Sequence, residues 1–170
     1  MREIDFRHDL LPLKDKLFRL ALRITMQRVE AEDVVQDTLL KIWERRAELT
    51  DVKNIEAYAL AVCRNLALDR IELKEAQNIS LDSLEADKPL DEPTTQERLE
   101  REESRRKIRH LISKIPEQQR TILQLRDIEG LSTRKTAEAM KMTEDAVKVN
   151  LFRARQMLKK LYLETNKNGL

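Results

Sequence analysis

Five cations, Lys148, Arg153, Arg155, Lys159 and Lys160, lie close together near the end of the chain at spacings that suit one helix. At about 100° per residue, Val147, Leu151, Ala154 and Leu158 form a single apolar stripe. The opposite side presents Val149, Phe152, Arg153 and Gln156, with Lys148 and Lys160 on its flanks. One side that packs and one basic, partly apolar side that faces outward is what a helix needs to read DNA. An ordinary helical hairpin with a solvated basic face has the same spacing, so the pattern alone leaves both readings open.

The elements that must hold this helix are visible in the capping residues. Ser132 or Thr133 caps a short helix running to Met140, and Thr143 caps the basic one after the turn at Lys141-Met142. Glu144 and Asp145 then sit in the first turn, where the helix dipole favours anions. The result is a helix-turn-helix. Before it, Ile108, Leu111, Ile112 and Ile115 mark a helix stopped by Pro116. Ile122, Leu123, Leu125 and Ile128 mark the next, with Gly130 placed as its C-terminal cap.

The N-terminal part carries three more helices. Leu10, Leu13, Leu17, Leu20, Ala21 and Ile24 recur at three- and four-residue steps, and Pro12 either opens that helix or kinks an earlier one. The second is expected over about 31–47 and the third over about 55–74, separated by the polar loop 49–54. On the second helix, Ala31, Val34, Val35, Thr38, Leu39, Ile42 and Trp43 form the apolar face. Asp33, Gln36, Asp37 and Glu44 lie opposite, and Leu40 falls near the centre of that polar face. One exposed leucine is ordinary on a monomer, but ringed by Asp33, Gln36 and Asp37 it also suits the apolar centre of a docking patch.

Composition agrees with an all-α chain. Glycine (2) and proline (4) are scarce among 170 residues, and Leu, Ala, Glu, Lys and Arg dominate. The net charge of +2 hides a strong asymmetry. Residues 131–160 carry eight cations against three anions, and residues 80–103 carry nine anions against three cations. The acidic stretch also holds Pro89 and Pro93 and little periodicity, so a flexible linker is expected there. The predicted organisation is two small helical domains, 1–76 and 101–170, joined by an acidic linker at 77–100.

Cys63 is the only cysteine, and His8 and His110 stand in unrelated contexts, so neither an internal disulfide nor a metal set is expected. No Gly-rich phosphate loop and no nucleophile–base constellation appears; neither an enzyme nor a cofactor is expected. The N-terminus lacks an apolar signal region, and no run is long enough for a membrane span, so the expectation is a cytoplasmic chain without membrane insertion.

Taken together, these blocks resemble a bacterial sigma factor of the extracytoplasmic-function (ECF) type. Residues 31–43 (AEDVVQDTLLKIW) and 58–70 (YALAVCRNLALDR) resemble region 2 of that family. Residues 115–126 (IPEQQRTILQLR) and 147–155 (VKVNLFRAR) resemble region 4. The resemblance implies a transcription initiation factor that binds core RNA polymerase and directs it to promoters. Region 4 would read the minus-35 element, and region 2 would capture the melted minus-10 element.

Residue by residue, the resemblance places Asp33, Gln36, Asp37 and Leu40 on the β′ clamp coiled coil, with region 4 meeting the β flap. It places Asn54 on a minus-10 base and Arg64, Arg70 and Lys74 along phosphates. In the recognition helix, Lys148, Asn150, Phe152 and Arg153 are expected at base edges: Arg suits guanine, Asn adenine, and apolar groups a thymine methyl. Arg155 and Lys159 are expected on phosphate. An anti-sigma factor wedged between the two units is a further partner the family suggests.

The chain departs from the family in four places. Lys135-Thr136 replaces a frequent Glu-Ile pair, Lys141 stands where glycine is common, and Ala146 replaces a frequent threonine. A stand-alone helix-turn-helix regulator is the main rival; it needs a dimer interface and leaves the region-2 blocks without a role.

Overall fold

The structure, a computed structural model, describes residues 3–77 and 95–167. All of its regular elements are helical. The chain enters through a π turn at Phe6–Leu10 and a 3-10 turn at Leu11–Leu13. Asp5 opens the first turn by accepting the N–H groups of Arg7 and His8. Pro12 sits in the second, so it opens the entry to α1 (Lys14–Thr25) rather than kinking a longer helix.

Helix α1 buries Leu17, Leu20, Ala21 and Ile24, the stripe that its spacing predicts. It ends at Met26, a non-glycine residue with φ of +60° whose N–H donates to Leu22 C=O. Helix α2 spans Arg28–Glu44, starting and ending three residues earlier than expected; a 3-10 turn at Arg46–Leu49 takes over its C-terminal end. Its buried face is Ala31, Val34, Val35, Thr38, Leu39 and Ile42. Trp43 stays half-buried, with the Phe6 ring edge-on at 5.7 Å and the Arg46 guanidinium 4.0 Å above its face.

Helix α3 spans Ile55–Ala76 and runs back along α2, so that Arg70 and Lys74 near its end meet Glu30 near the start of α2. Its buried positions are mostly small: Ala57, Ala59, Leu60, Ala61, Cys63 and Ala67. Small side chains let several helices approach it, and α3 contacts α1, α2 and α6 (Thr133–Met140).

The second unit begins earlier than expected. Helix α4 covers Gln96–Ser113, with Thr95 as its N-cap, so residues 96–100 are helical rather than part of a linker. The segment Gln96–Arg106 has almost no apolar periodicity, but Glu, Gln and Arg all have good intrinsic helix propensity. The rest of the expected acidic linker, 78–94, lies outside the described residues. Helix α5 (Glu117–Leu123) follows Pro116 and continues as a π turn, Gln124–Ile128. The buried Arg120 guanidinium donates to the Ser113 and Ile115 carbonyls and so satisfies the end of α4. Gly130 adopts φ of +76°, and the next N–H, of Leu131, donates back to Leu125 C=O.

The two units share one continuous core. Residues of α1, α2 and α3 and residues of α5, α6 and α7 (Glu144–Lys167) belong to the same buried cluster. Contacts of α1 with α5 and of α3 with α6 join them.

Candidate nucleic-acid interface

The helix-turn-helix is built by the caps the sequence announces. Of the two candidates at the first helix, Ser132 is the cap: its Oγ accepts the Lys135 N–H at 3.1 Å. Thr143 accepts the Ala146 N–H at 3.1 Å and starts α7. Between them Lys141 takes the left-handed conformation, φ +55° and ψ +48°. The N–H groups of Lys141 and Met142 then reach Glu138 and Ala137 carbonyls, the pattern that usually employs glycine. Thr136 fills the position where the family often has an apolar residue. It is fully buried, and its Oγ1 has no hydrogen-bond partner among the described residues.

Helix α7 buries Val147, Leu151 and Ala154 against the unit and half-buries Leu158. Its outward side carries Lys148, Val149, Phe152, Arg153, Gln156 and Lys159, all exposed; Phe152 retains 64% of its surface. Among the described residues, Lys148, Arg153 and Lys159 make no ion pair. The other two residues expected on DNA are already engaged. Asn150 donates its side-chain N–H to Ala146 C=O at 2.8 Å, on its own helix. Arg155 grips Asp127 with two hydrogen bonds, of 2.9 and 2.6 Å. That guanidinium holds the Asp127 carboxyl below its ordinary range.

The positions expected near a minus-10 strand are likewise partnered. Asn54 caps α3: its Oδ1 accepts the Ala57 N–H at 3.1 Å, which leaves the side-chain NH2 as the group available to a base. Arg64 binds both oxygens of Glu117, at 3.0 Å each. Arg70 reaches Glu30 at 2.9 Å and Asp33 and Asp37 at 3.2 Å each. Lys74 reaches Glu30 at 2.6 Å and the Gln27 side-chain amide oxygen, Oε1, at 2.7 Å. Glu30 is therefore a hub between two cations, and Lys74 and Arg70 together lower its pKa although burial opposes them.

On α2, Gln36 and Leu40 are exposed, and Leu40 keeps 55% of its surface free. Asp33 and Asp37, one turn apart, are braced from the side by Arg70. The face expected to dock is thus outward, and its acids are held in place rather than loose. Val29 at the start of the same helix is also exposed, which the polar/apolar pattern did not single out.

Sequence reasoning also missed Arg19, Arg23, Glu117, Gln124 and Glu129, which meet where the two units touch. Nothing in local spacing marks them; their partners across the two units lie 53 to 110 residues away. Burial pushes the Cys63 thiol up to about 12, so it is no nucleophile at neutral pH. Among the described residues, no group of three His, Cys, Asp or Glu side chains is placed to hold a metal ion. No described helix is long and apolar enough to cross a membrane.

Comparison with known proteins places both halves. Residues 12–76 match the family described as Sigma-70 region 2, and residues 105–158 match Sigma-70, region 4. The chain is 28% identical over 144 residues to the ECF RNA polymerase sigma factor SigL of Mycobacterium tuberculosis, covering 84% of this chain and 80% of that one. It is 26% identical over 151 residues to the RNA polymerase sigma-E factor of Streptomyces coelicolor, covering 89% and 82%. In fold it is similar to the sigma factor RpoE of Bartonella quintana, solved in complex with the anti-sigma factor NepR. That likeness has a TM-score of 0.72 at 21% identity and covers 93% of this chain and 96% of that one. It is also similar in fold to CnrH, solved with the cytosolic domain of CnrY, with a TM-score of 0.66 at 20% identity, covering 92% and 86%.

Proposed function

Because this chain belongs to the sigma-70 family, as an ECF-type sigma factor acting in transcription initiation, we propose that it carries core RNA polymerase to promoters through three separate faces. The outward side of α7 reads the minus-35 element in the major groove. Lys148, Phe152 and Arg153 are the base-reading residues, because they are exposed and free of ion pairs among the described residues. Lys159 and Arg155 sit on phosphate, and Asn150, turned onto its own helix, contributes at most to the backbone side.

The second face is the loop at 50–54 with the start of α3, which captures the minus-10 strand; Asn54 offers its NH2 to a base. Arg70 and Lys74 approach phosphate by giving up Glu30, which both now hold, while Arg70 keeps its hold on Asp37. The third face is α2. Leu40 supplies apolar burial on the β′ coiled coil, while Asp33, Gln36 and Asp37 set orientation. Region 4 additionally meets the β flap. An anti-sigma factor is a further partner, since a solved sigma factor of similar fold is described in complex with one.

The observation that carries this reading is Leu40, an exposed leucine beside two acids that Arg70 braces on the same helix face. A stand-alone DNA-binding regulator has no use for it. The test is Leu40→Asp in the full chain, which changes no core contact. Core-polymerase capture and promoter-directed run-off transcription should fall together, while the far-UV circular dichroism stays unchanged. A folded variant that retains wild-type polymerase binding and transcription removes the docking assignment. A wild-type chain that binds duplex DNA tightly but never binds polymerase replaces this reading with that of a stand-alone regulator.

A further inference from the structure

Trp43 is the chain's only tryptophan. It closes the apolar face of α2, yet it is only half-buried, because α2 ends one residue later and a 3-10 turn carries the chain away. Two side chains meet its ring. Arg46, on that turn, folds its guanidinium 4.0 Å over the centre of the ring. Its Nη1 donates to Trp43 C=O at 2.9 Å, and its Nε lies 3.4 Å from Glu3 Oε1. Phe6 meets the indole edge-on, with ring centres 5.7 Å apart and planes at 80°. Ile4 and Leu10 are buried on either side of Phe6, so the arm that carries it is anchored, and Phe6 still keeps 36% of its surface free. Phe6 and Glu3 precede residue 12, where the match to Sigma-70 region 2 begins.

Core packing accounts for one side of this cluster only. Trp43 packs against the core, and Phe6 is not part of it. The cover on the outer face of the indole is weak, since an exposed cation–π contact and a surface ion pair each contribute little. A guanidinium plane lying on an aromatic ring occupies the place where a nucleobase stacks, and unstacked bases stack on tryptophan and arginine planes alike. The position suits such a ligand. The four residues of Arg46–Leu49 span about 8 Å as a 3-10 turn and lead straight into the loop at 50–54.

We propose that Trp43, Phe6 and Arg46 form a stacking pocket for one unstacked base of the melted promoter strand, beside the loop at 50–54 and separate from it. The proposal rests on the sigma-factor reading and adds a base-binding subsite to its second face. The base lies on the indole, Phe6 bounds the edge, and Arg46 moves from the ring onto the outer face of the base. Charge favours a base over a phosphate as the group bound. Residues 41–53 carry Lys41, Arg45, Arg46 and Lys53 against Glu44, Glu48 and Asp51, and Glu3 already stands beside Arg46. A phosphate cradle needs an excess of cations, whereas a stacking platform works through the π-face of the base. The pocket's share of the affinity is therefore insensitive to salt.

Because Trp43 is the only tryptophan, its emission in the full chain reports this pocket alone. The probe is a short single-stranded DNA of mixed sequence, compared with the same strand made of abasic sites. Anisotropy of labelled strands follows binding, and unlabelled strands are used for emission. The mixed strand should quench Trp43 in step with binding; the abasic strand should not quench it. Phe6→Ala should reduce both affinity and quenching, and Phe6→Tyr, which keeps the ring, should retain them. Trp43→Leu should lower the affinity for the mixed strand by about fivefold or more, with an unchanged slope of log affinity against log salt.

A strand that binds while Trp43 emission stays constant overturns the proposal. So does equal quenching by the abasic strand, which assigns the signal to the phosphate backbone. A lower salt slope for Trp43→Leu does the same. Should Trp43→Leu fail to fold, the Phe6 variants decide, and a Phe6→Ala chain that binds and quenches as the wild type does rejects the pocket. If the free chain binds no single strand, the polymerase complex on a promoter with a premelted minus-10 bubble decides. There Phe6→Ala must shorten the lifetime of the complex and Phe6→Tyr must restore it; no change rejects the pocket. Failure of the wild-type chain to bind polymerase refutes the sigma-factor reading separately, since the emission and anisotropy measurements contain no polymerase.

Discussion

Arg155 and Asp127 are joined by two hydrogen bonds, 2.9 and 2.6 Å, that tie α7 to the π turn before Gly130. The same guanidinium is the one proposed for phosphate, and on that reading the Asp127 carboxylate competes with DNA for it. Asp127→Asn should free most of that cation. Polymerase-free affinity for any duplex at low salt should rise, with a salt slope steeper by about 1. Sequence preference should not change, because a phosphate contact positions without specifying. Anisotropy titrations over a salt series check this, and weaker binding would instead make Asp127 the residue that orients Arg155.

Arg153 behaves differently, since it is exposed on the side of α7 opposite Val147, Leu151 and Ala154 and makes no ion pair among the described residues. Arg153→Ala should cost about 1–3 kcal/mol of discrimination at one position of the minus-35 element. Lys159→Ala should weaken all sequences alike. A panel of promoter mutants separates the two patterns, and an unchanged preference profile for Arg153→Ala rules out base reading by that side chain.

Thr136 offers a stability test. Its hydroxyl is fully buried without an acceptor or donor among the described residues, and leaving such a group unpaired costs about 1–3 kcal/mol. Thr136→Val keeps the shape and removes the polar atom. Stability should rise by about 1 kcal/mol, read as a higher urea midpoint with an unchanged m-value. A lower midpoint would mean that the hydroxyl is satisfied in solution.

Glu30 links the α2–α3 packing to pH. Lys74 first, and Arg70 after it, hold its carboxyl below the ordinary 4.5 against the opposing effect of burial. A depressed folded pKa contributes stability that is complete above the unfolded value and is lost as pH falls through the folded one. The melting temperature of the wild type should therefore fall more steeply below pH 4.5 than that of Glu30→Gln, while at neutral pH the variant is the less stable. Parallel curves for the two proteins across that range would show that the pair contributes nothing.

Much of this protein was legible in its residues alone. The all-helical class, the caps at Ser132 and Thr143, the positive-φ glycine at 130, the buried stripe of α7 and the exposure of Leu40 all follow from interactions within a few residues. Periodicity and capping are local, so spacing encodes them. The start of α4 was missed because a helix without an apolar stripe leaves no periodic trace. The partners of the cations were decided only by tertiary structure. Arg19 meets Glu129, Arg64 meets Glu117, Arg70 meets Glu30, Asp33 and Asp37, and Arg155 meets Asp127. A long side chain on a helix surface looks equally free in sequence whether it ends in water, on a phosphate or on a carboxylate. Which of these it meets depends on how whole helices pack, and that is set by burial of apolar faces far from the charge itself.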